Sequence, residues 1–506
     1  MNIRGISNLL SGKYLAASLA LLFFAYAALC DDKPKAPAKA PAKSAPAAKP
    51  AGGGASTSKS SGPTTASHGP TTASHAATTT TSHPATTTSH PSTAGGGKGT
   101  TGSTFGRGTT GSTGGKSTMT PKNQTTVQTR NGGSVTKRPD GKVATLHDPK
   151  RGMDVHHNLS GNRRVVVERS DHSRIVAERG GRGYVQRPYM YHGHEYARRS
   201  YYYRGRYYDT YYGRCAYHGV WVNPYYPAYY YGPAYYSWVS YPWGTPAPYA
   251  WGWNVNPWYG YYGAFFTPYT VYPSASFWLT DYIIATSLQS AYQAQAAALS
   301  NPAPLTPEVK DLIADEVRQQ IALENNEARI AAKNGEPDAA SSSIQRLLTY
   351  GKQHVFVAGH DLDVVDAGGT ECALSEGDAI QLTGQTAPDA QAATLAVLAS
   401  KGGRECPKGD TVSVVLADLQ DMQNHMRETI DRGLEELQTK QGQSGLPAAP
   451  AAAKAAPVES PMAAIAPPPP PESEVAAEIN QQSQEADKAE TEAGADAASG
   501  PGRHAP

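Results

Sequence analysis

The 506-residue sequence predicts a chain that is mostly disordered and low in complexity, with a β-rich aromatic middle and a C-terminal α+β module, a small β-barrel flanked by helices. Three observations lead there. Glycine (50) and proline (39) are abundant and hydrophobic residues reach only 39%, so much of the length cannot bury enough apolar surface to offset backbone ordering. Of the 31 tyrosines, 28 lie between Tyr184 and Tyr292, together with all seven tryptophans. Paired helical and strand periodicities of a compact unit become clear only beyond Leu305.

Residues 1–29 read as a signal peptide or membrane anchor. Arg4 and Lys13 flank the start of an uncharged run, Tyr14 to Leu29, of signal-core length and short for a membrane span. Ala25-Tyr26-Ala27 offers a cleavage site near Ala28. Ala27-Ala28-Leu29-Cys30 resembles a lipoprotein box that would place a lipid on Cys30, with Leu29 where that box carries Gly or Ala. Cleavage, lipidation and an uncleaved anchor all imply export, to periplasm, outer envelope or extracellular space.

Residues 30–125 are a disordered spacer. The Lys/Pro/Ala repeats from Lys33 to Pro50 favour extended polyproline-like chain. A Thr/Ser/His stretch follows, with His68, His75, His83 and His90 at near-regular intervals. Imidazoles at that spacing bind transition metals only weakly without fixed geometry, so a repetitive stalk is the preferred reading and no metal site is assigned.

Residues 126–187 alternate short apolar runs with turns such as Arg138-Pro139-Asp140-Gly141 and Ser160-Gly161-Asn162, the pattern of a β meander that packs on a neighbour. His156 and His157 are adjacent and so point to opposite faces of a strand. Residues 188–300 form the Tyr/Trp/Gly/Pro-rich region, ending in a helix over Phe277–Tyr292. Its rings suit an assembly surface or an aromatic core of its own. Exposed Trp243, Trp251, Trp253 or Trp258 would suit stacking on sugar rings. Asp281 argues against a membrane span.

Residues 301–440 should fold as helix, small β-barrel and helix. Thr306-Pro307-Glu308 starts a helix, by a capping hydroxyl, a first-turn proline and an acid at the positive end. An internal repeat follows. Leu362–Val365, Gly368-Gly369, Glu371-Cys372 and Gly377-Asp378 are matched by Leu395–Leu398, Gly402-Gly403, Glu405-Cys406 and Gly409-Asp410. With His354–Val357 this gives about five strands. Gly-Asp before a strand in a small all-β unit resembles the bacterial SH3-type barrels of the cell envelope, over residues 354–420. The resemblance implies a barrel used for binding. Cys372 and Cys406 hold equivalent places, so in an oxidising compartment a disulfide is preferred to two buried thiols. Cys215 is expected free or intermolecular. Asp361, Asp363 and Asp366 lack the Gly and distal Glu of a calcium loop and read as a decorated strand edge. Leu419, Met422, Met426, Ile430, Leu434 and Leu437 form the stripe of a last helix, packed on the module or pairing as a coiled coil. Residues 441–506 read as a disordered Ala/Pro and acidic tail.

Net charge is only +2, but arginines crowd residues 130–214 and acids crowd Glu472–Asp496, an asymmetry of interaction surfaces or tails. No Gly-rich phosphate loop with its Lys, HExxH, G-x-S-x-G or paired CxxC is present, so no enzyme and no cofactor is implied. The expected function is therefore that of a non-catalytic structural or interaction protein of the envelope or extracellular matrix, with a protein or polysaccharide partner or self-association. Polysaccharide or peptidoglycan binding through the tryptophans is the alternative; nucleic-acid binding is remote for an exported chain. An exported chain with a Tyr/Trp/Gly-rich middle resembles uncharacterised bacterial envelope proteins, from which no activity carries over.

Overall fold

Alternating apolar residues and left-handed turn positions build the first half of the fold. The computed structural model describes residues 121–498, apart from 204–205, 295–298, 350–351, 385 and 388–389. The signal segment, Cys30 and nearly all of the 30–125 spacer lie outside the described residues. Strands β1 (Thr125–Gln128), β2 (Ser134–Lys137), β3 (Val143–Asp148), β4 (Met153–His157), β5 (Arg163–Glu168), β6 (Arg174–Glu178), β7 (Gly183–Tyr191), β8 (His194–Tyr203) and β9 (Arg206–Gly213) pair antiparallel in sequence order. The turns repeat one solution. The Gly141 N–H reaches the Arg138 carbonyl at 2.9 Å, with Gly141 at φ +82°, and Gly161 repeats this on Asn158 at φ +81°. A left-handed residue at that place matches the turn to the strand twist.

The hairpin β10 (Cys215–Tyr217) and β11 (Val220–Val222) interrupts the meander before β12 (Tyr225–Tyr226) joins β9 as its tenth strand. The expected boundary at residue 187 therefore falls inside β7, and, Tyr217 of the hairpin apart, the tyrosines of 189–226 continue the same sheet. A two-residue strand, β13 (Tyr229–Tyr230), follows, then helices α1 (Pro233–Ser240), α2 (Pro257–Tyr262), α3 (Ala275–Gln293), α4 (Pro307–Ala331), α5 (Ala339–Ser342) and α6 (Ile344–Thr349). The Thr306 side chain caps α4 by accepting from the Val309 N–H, as its sequence foretold.

The C-terminal strands are β14 (Val355–Val357), β15 (Leu362–Asp366), β16 (Glu371–Leu374), β17 (Ala379–Leu382), β18 (Ala392–Ala399) and β19 (Thr411–Val415). They form an open sheet in the order β14-β17-β18-β19-β15-β16; the expected barrel does not close. Other segments take its edges. β16 exchanges Ala373 N–H to Arg404 C=O and Cys406 N–H to Ala373 C=O with the loop between β18 and β19, and β14 packs against α4 and the long helix α7 (Leu416–Lys440). The internal repeat is preserved, since β15 pairs β19 as β17 pairs β18, and Gly369, Gly377, Gly403 and Gly409 all hold positive φ.

From α7 to Ala498 the described chain is ordered, against the expectation of a disordered tail. β20 (Val458–Glu459) pairs β13, α8 (Pro461–Ala464) packs under Tyr189 and Tyr226, and α9 (Glu472–Ala498) crosses the meander. No helix among the described residues is long and apolar enough to cross a membrane.

The aromatic region is a core. Tyr235, Tyr236, Tyr262, Tyr272 and Trp278 are fully buried with α3, α4 and α7 around them. Asp281 sits inside it, held by Lys310 at 2.8 Å, the Tyr272 hydroxyl at 2.7 Å and the Tyr269 N–H at 2.6 Å.

The Gly-Gly turn of the second repeat gives a test. At Gly402 (φ +82°) a Cβ would lie 1.9 Å from the Ser300 carbonyl oxygen, whereas at Gly132 (φ +79°) it would meet nothing. Gly132→Ala is expected to cost about 1 kcal/mol from φ alone, and Gly402→Ala at least twice that, in urea unfolding. Equal costs would refute the contact.

Candidate functional site

Strand alternation gives the meander two faces with different chemistry. On one, Arg164, Val166, Val176, Tyr184, Gln186, Arg199, Tyr201 and Tyr212 face the acidic side of α7, where Asp418, Asp421, His425 and Glu428 recur at helical spacing. Arg199 is buried between the rings of Tyr184 and Tyr212, 4.7 and 3.9 Å from their centroids, with Gln186 accepting from its Nε at 2.7 Å and Asp421 3.7 Å away. Tyr212 donates to Glu428. Burial raises the Asp421 carboxyl, but Arg199, Arg174 and Arg164 outweigh it and hold the group below its ordinary value. Asp418 lacks so close a cation. Burial, then Asp421, push it up to about 7 against Arg164 and Arg174.

The opposite face is an apolar strip with a basic fringe. Val135, Leu146, Val155, Val165, Ile175 and Val185 are buried beneath Val475, Ile479, Ala486, Ala489 and Ala493 of α9. Around them Arg187 meets Glu474 and Glu478 at 2.5 and 2.7 Å, Arg151 meets Glu492 at 2.9 Å, Arg163 meets Asp487 and Glu490, and His157 meets Glu490. The acidic tail and the arginine-rich segment, each read from the sequence as a surface for something else, are partners of one another. The signal that could have paired them was the heptad spacing of Val475, Ile479, Gln482, Ala486, Ala489 and Ala493, hidden by alanine content.

Coverage of this strip is incomplete. A cleft of about 760 Å³ opens between the β2–β3 turn, the β4–β5 turn and the end of α9, with Val135, Val143, Leu146 and Ala493 inside and Lys137, Lys142 and Arg404 on its rim. A second, of about 260 Å³, lies beside Ile479 and the Arg179–Gly181 turn.

The residues singled out from the sequence are dispersed. Cys372 and Cys406 are bridged, with Cα atoms 5.0 Å apart. Cys215, the first residue of β10, is buried with Ile344 and Leu347 of α6, out of reach of an intermolecular bridge. Trp243 and Trp258 lie in the aromatic core, 7% and 6% exposed. Trp251 is half-buried, stacked between Trp253 at 4.2 Å and Trp278 at 4.5 Å, so it presents no open face to a sugar ring. His157 faces α9 and His156 faces away, as strand geometry requires; burial pushes His156 down to about 4. Asp361 and Asp363 do not decorate a free edge. Asp361 accepts from the Asn158 and Asn162 side chains at 2.9 and 3.0 Å, and Asp363 takes the Leu159 N–H and Arg138, docking the β4–β5 turn on β15.

No family model, curated protein or solved structure matches the chain.

Replacing both Cys372 and Cys406 by Ala is expected to lower stability by about 3–4 kcal/mol, the chain-entropy value for a 34-residue separation, in denaturant unfolding of the oxidised and variant proteins. Asp418 supplies a pH test. Its folded pKa of about 7 exceeds its ordinary 3.8, so the native state keeps a proton that the unfolded chain loses. That contribution is intact below pH 3.8 and lost as pH rises toward 7. Asp418→Asn should therefore remove about 3 kcal/mol of the decline between pH 5 and pH 8. His425 and His360, pushed by burial to about 3 and 4, act oppositely, losing stability as pH falls below 6.5, and Asp418→Asn leaves that acid limb in place. An unchanged slope above pH 5 would exclude a proton on Asp418.

Proposed function

We propose that this chain is an exported interaction protein of the cell envelope or extracellular matrix, a disulfide-stapled scaffold that presents a broad basic sheet face to a protein partner. The observation that carries the reading is that face: an apolar strip ringed by Arg151, Arg163, Arg187 and His157, covered in the isolated chain by its own acidic helix. Apolar centres with charged rims are the composition of recognition surfaces. The Cys372–Cys406 bridge supports an oxidising compartment, in line with the signal-like run from Tyr14 to Leu29. The polysaccharide alternative has less support, because Trp243, Trp251, Trp253 and Trp258 spend their faces on one another and on the core.

Intact mass of the native protein from fractionated cells, with and without reduction and alkylation, tests the export reading. Cleavage near Ala28 or a lipid on Cys30, with one bridge, is the expected result. Recovery from cytosol with Met1 retained and every thiol reduced would end it.

A further inference from the structure

We infer that α9 is an exchangeable occupant of its groove, and that the groove's other occupant is an acidic amphipathic helix from a partner protein. This rests on the binding role proposed above and adds the partner's chemistry. The groove does not need α9 to exist: every ladder hydrogen bond of the ten-stranded sheet is made between its own strands, and α7 supports its far face. What α9 supplies is slight. After Val475 and Ile479 the buried positions are Gln482 and three alanines, which remove little apolar surface from water.

Two cavities flank α9, one of about 760 Å³ against Glu490, Ala493 and Gly494 and one of about 260 Å³ against Ile479, Asn480 and Ser483. A helix with a leucine at the position of Ala493 would put apolar volume into the larger one. The ion pairs are partly solvated, with Arg187 45% and Asp487 64% exposed, so salt weakens them. The linker to α9 contains five consecutive prolines, Pro467–Pro471, and is tied through the Pro467 and Pro470 carbonyls by Arg198 and Tyr207. Released, α9 takes no strand or core helix with it. The fringe of Arg151, Arg163 and Arg187 then selects the acidic flank of the newcomer, a helix-in-groove mode of recognition.

Hydrogen exchange on the full-length protein, with binding of a labelled synthetic peptide, tests this. The peptide carries the Glu472–Ala498 sequence with Leu for Ala493. We expect α9 amides to exchange at least about a hundredfold faster than those of β5–β7, through local opening. The peptide should bind saturably, about tenfold tighter to a Glu474→Lys/Glu478→Lys/Asp487→Lys chain whose own α9 is loosened, and about tenfold weaker to an Ala493→Leu chain. Exchange of α9 only together with β5–β7 in one global event would overturn the proposal, and so would no peptide binding to the loosened chain. A stable dimer that trades α9 between copies would overturn the partner assignment. If the triple variant does not fold, exchange in the wild-type protein decides. None of these outcomes depends on whether the chain is exported.

Discussion

Burial of α7 on both sides is the constraint on which the rest of the structure depends. Its Leu419, Met422, Met426 and Ile430 close the core of the open six-stranded sheet and of α3, while Asp418, Asp421 and Glu428 on its other side face arginines and tyrosines of the meander. A helix so placed cannot leave charges uncompensated. Arg427 and Glu327, each 1% exposed, meet at 2.6 Å, and Tyr225 donates to Asp431 at 2.6 Å. Such pairs contribute little net stability, since desolvation offsets most of the attraction, but breaking one leaves a buried charge. The contacts that α7 makes with the meander, Asp421 with Arg199 and Glu428 with Tyr212, therefore fix which face of the meander meets α7, and with it which face is left for α9.

The same logic explains why tyrosine, not phenylalanine, dominates the middle of the chain. A buried hydroxyl needs an acceptor, and acceptors are supplied from distant elements: Glu324 for Tyr236 at 2.6 Å, the Leu434 carbonyl for Tyr235 at 2.6 Å, the Met462 carbonyl for Tyr189 at 2.7 Å. Each bond ties an irregular, proline-broken segment to a regular helix or to the chain beyond it. The rings provide area and the hydroxyls provide register, so a region without long elements still has one arrangement.

Legibility of the fold in the sequence followed the strength of local signals. The turns at Arg138–Gly141 and Ser160–Asn162, the cap at Thr306, the stripe of α7 and the repeat around Cys372 and Cys406 could be read because each rests on residues a few positions apart. Closure of the six strands could not, because it depends on whether β14 meets β16, and the 404–406 loop and α4 intervene. The tail was misread because low hydrophobicity and alanine content describe an isolated helix, whereas α9 is stabilised by arginines some 300 residues earlier. The sequence leaves the surroundings of Trp243 and Trp258 open for a related reason: aromatic density looks the same whether rings face water or one another.

The span of those contacts bears on how the chain reaches its native state. Arg151 and Glu492 are separated by 341 residues, and Arg138 and Glu371 by 233. The meander is local in its pairing and can assemble soon after synthesis, yet both of its faces wait for segments made much later. A sheet finished early and clothed late is a slow, contact-order-limited folder, with a long interval in which its apolar strip is bare. The arginine fringe around that strip then has a second effect, since like charges keep two half-made chains from stacking face to face before α7 and α9 arrive.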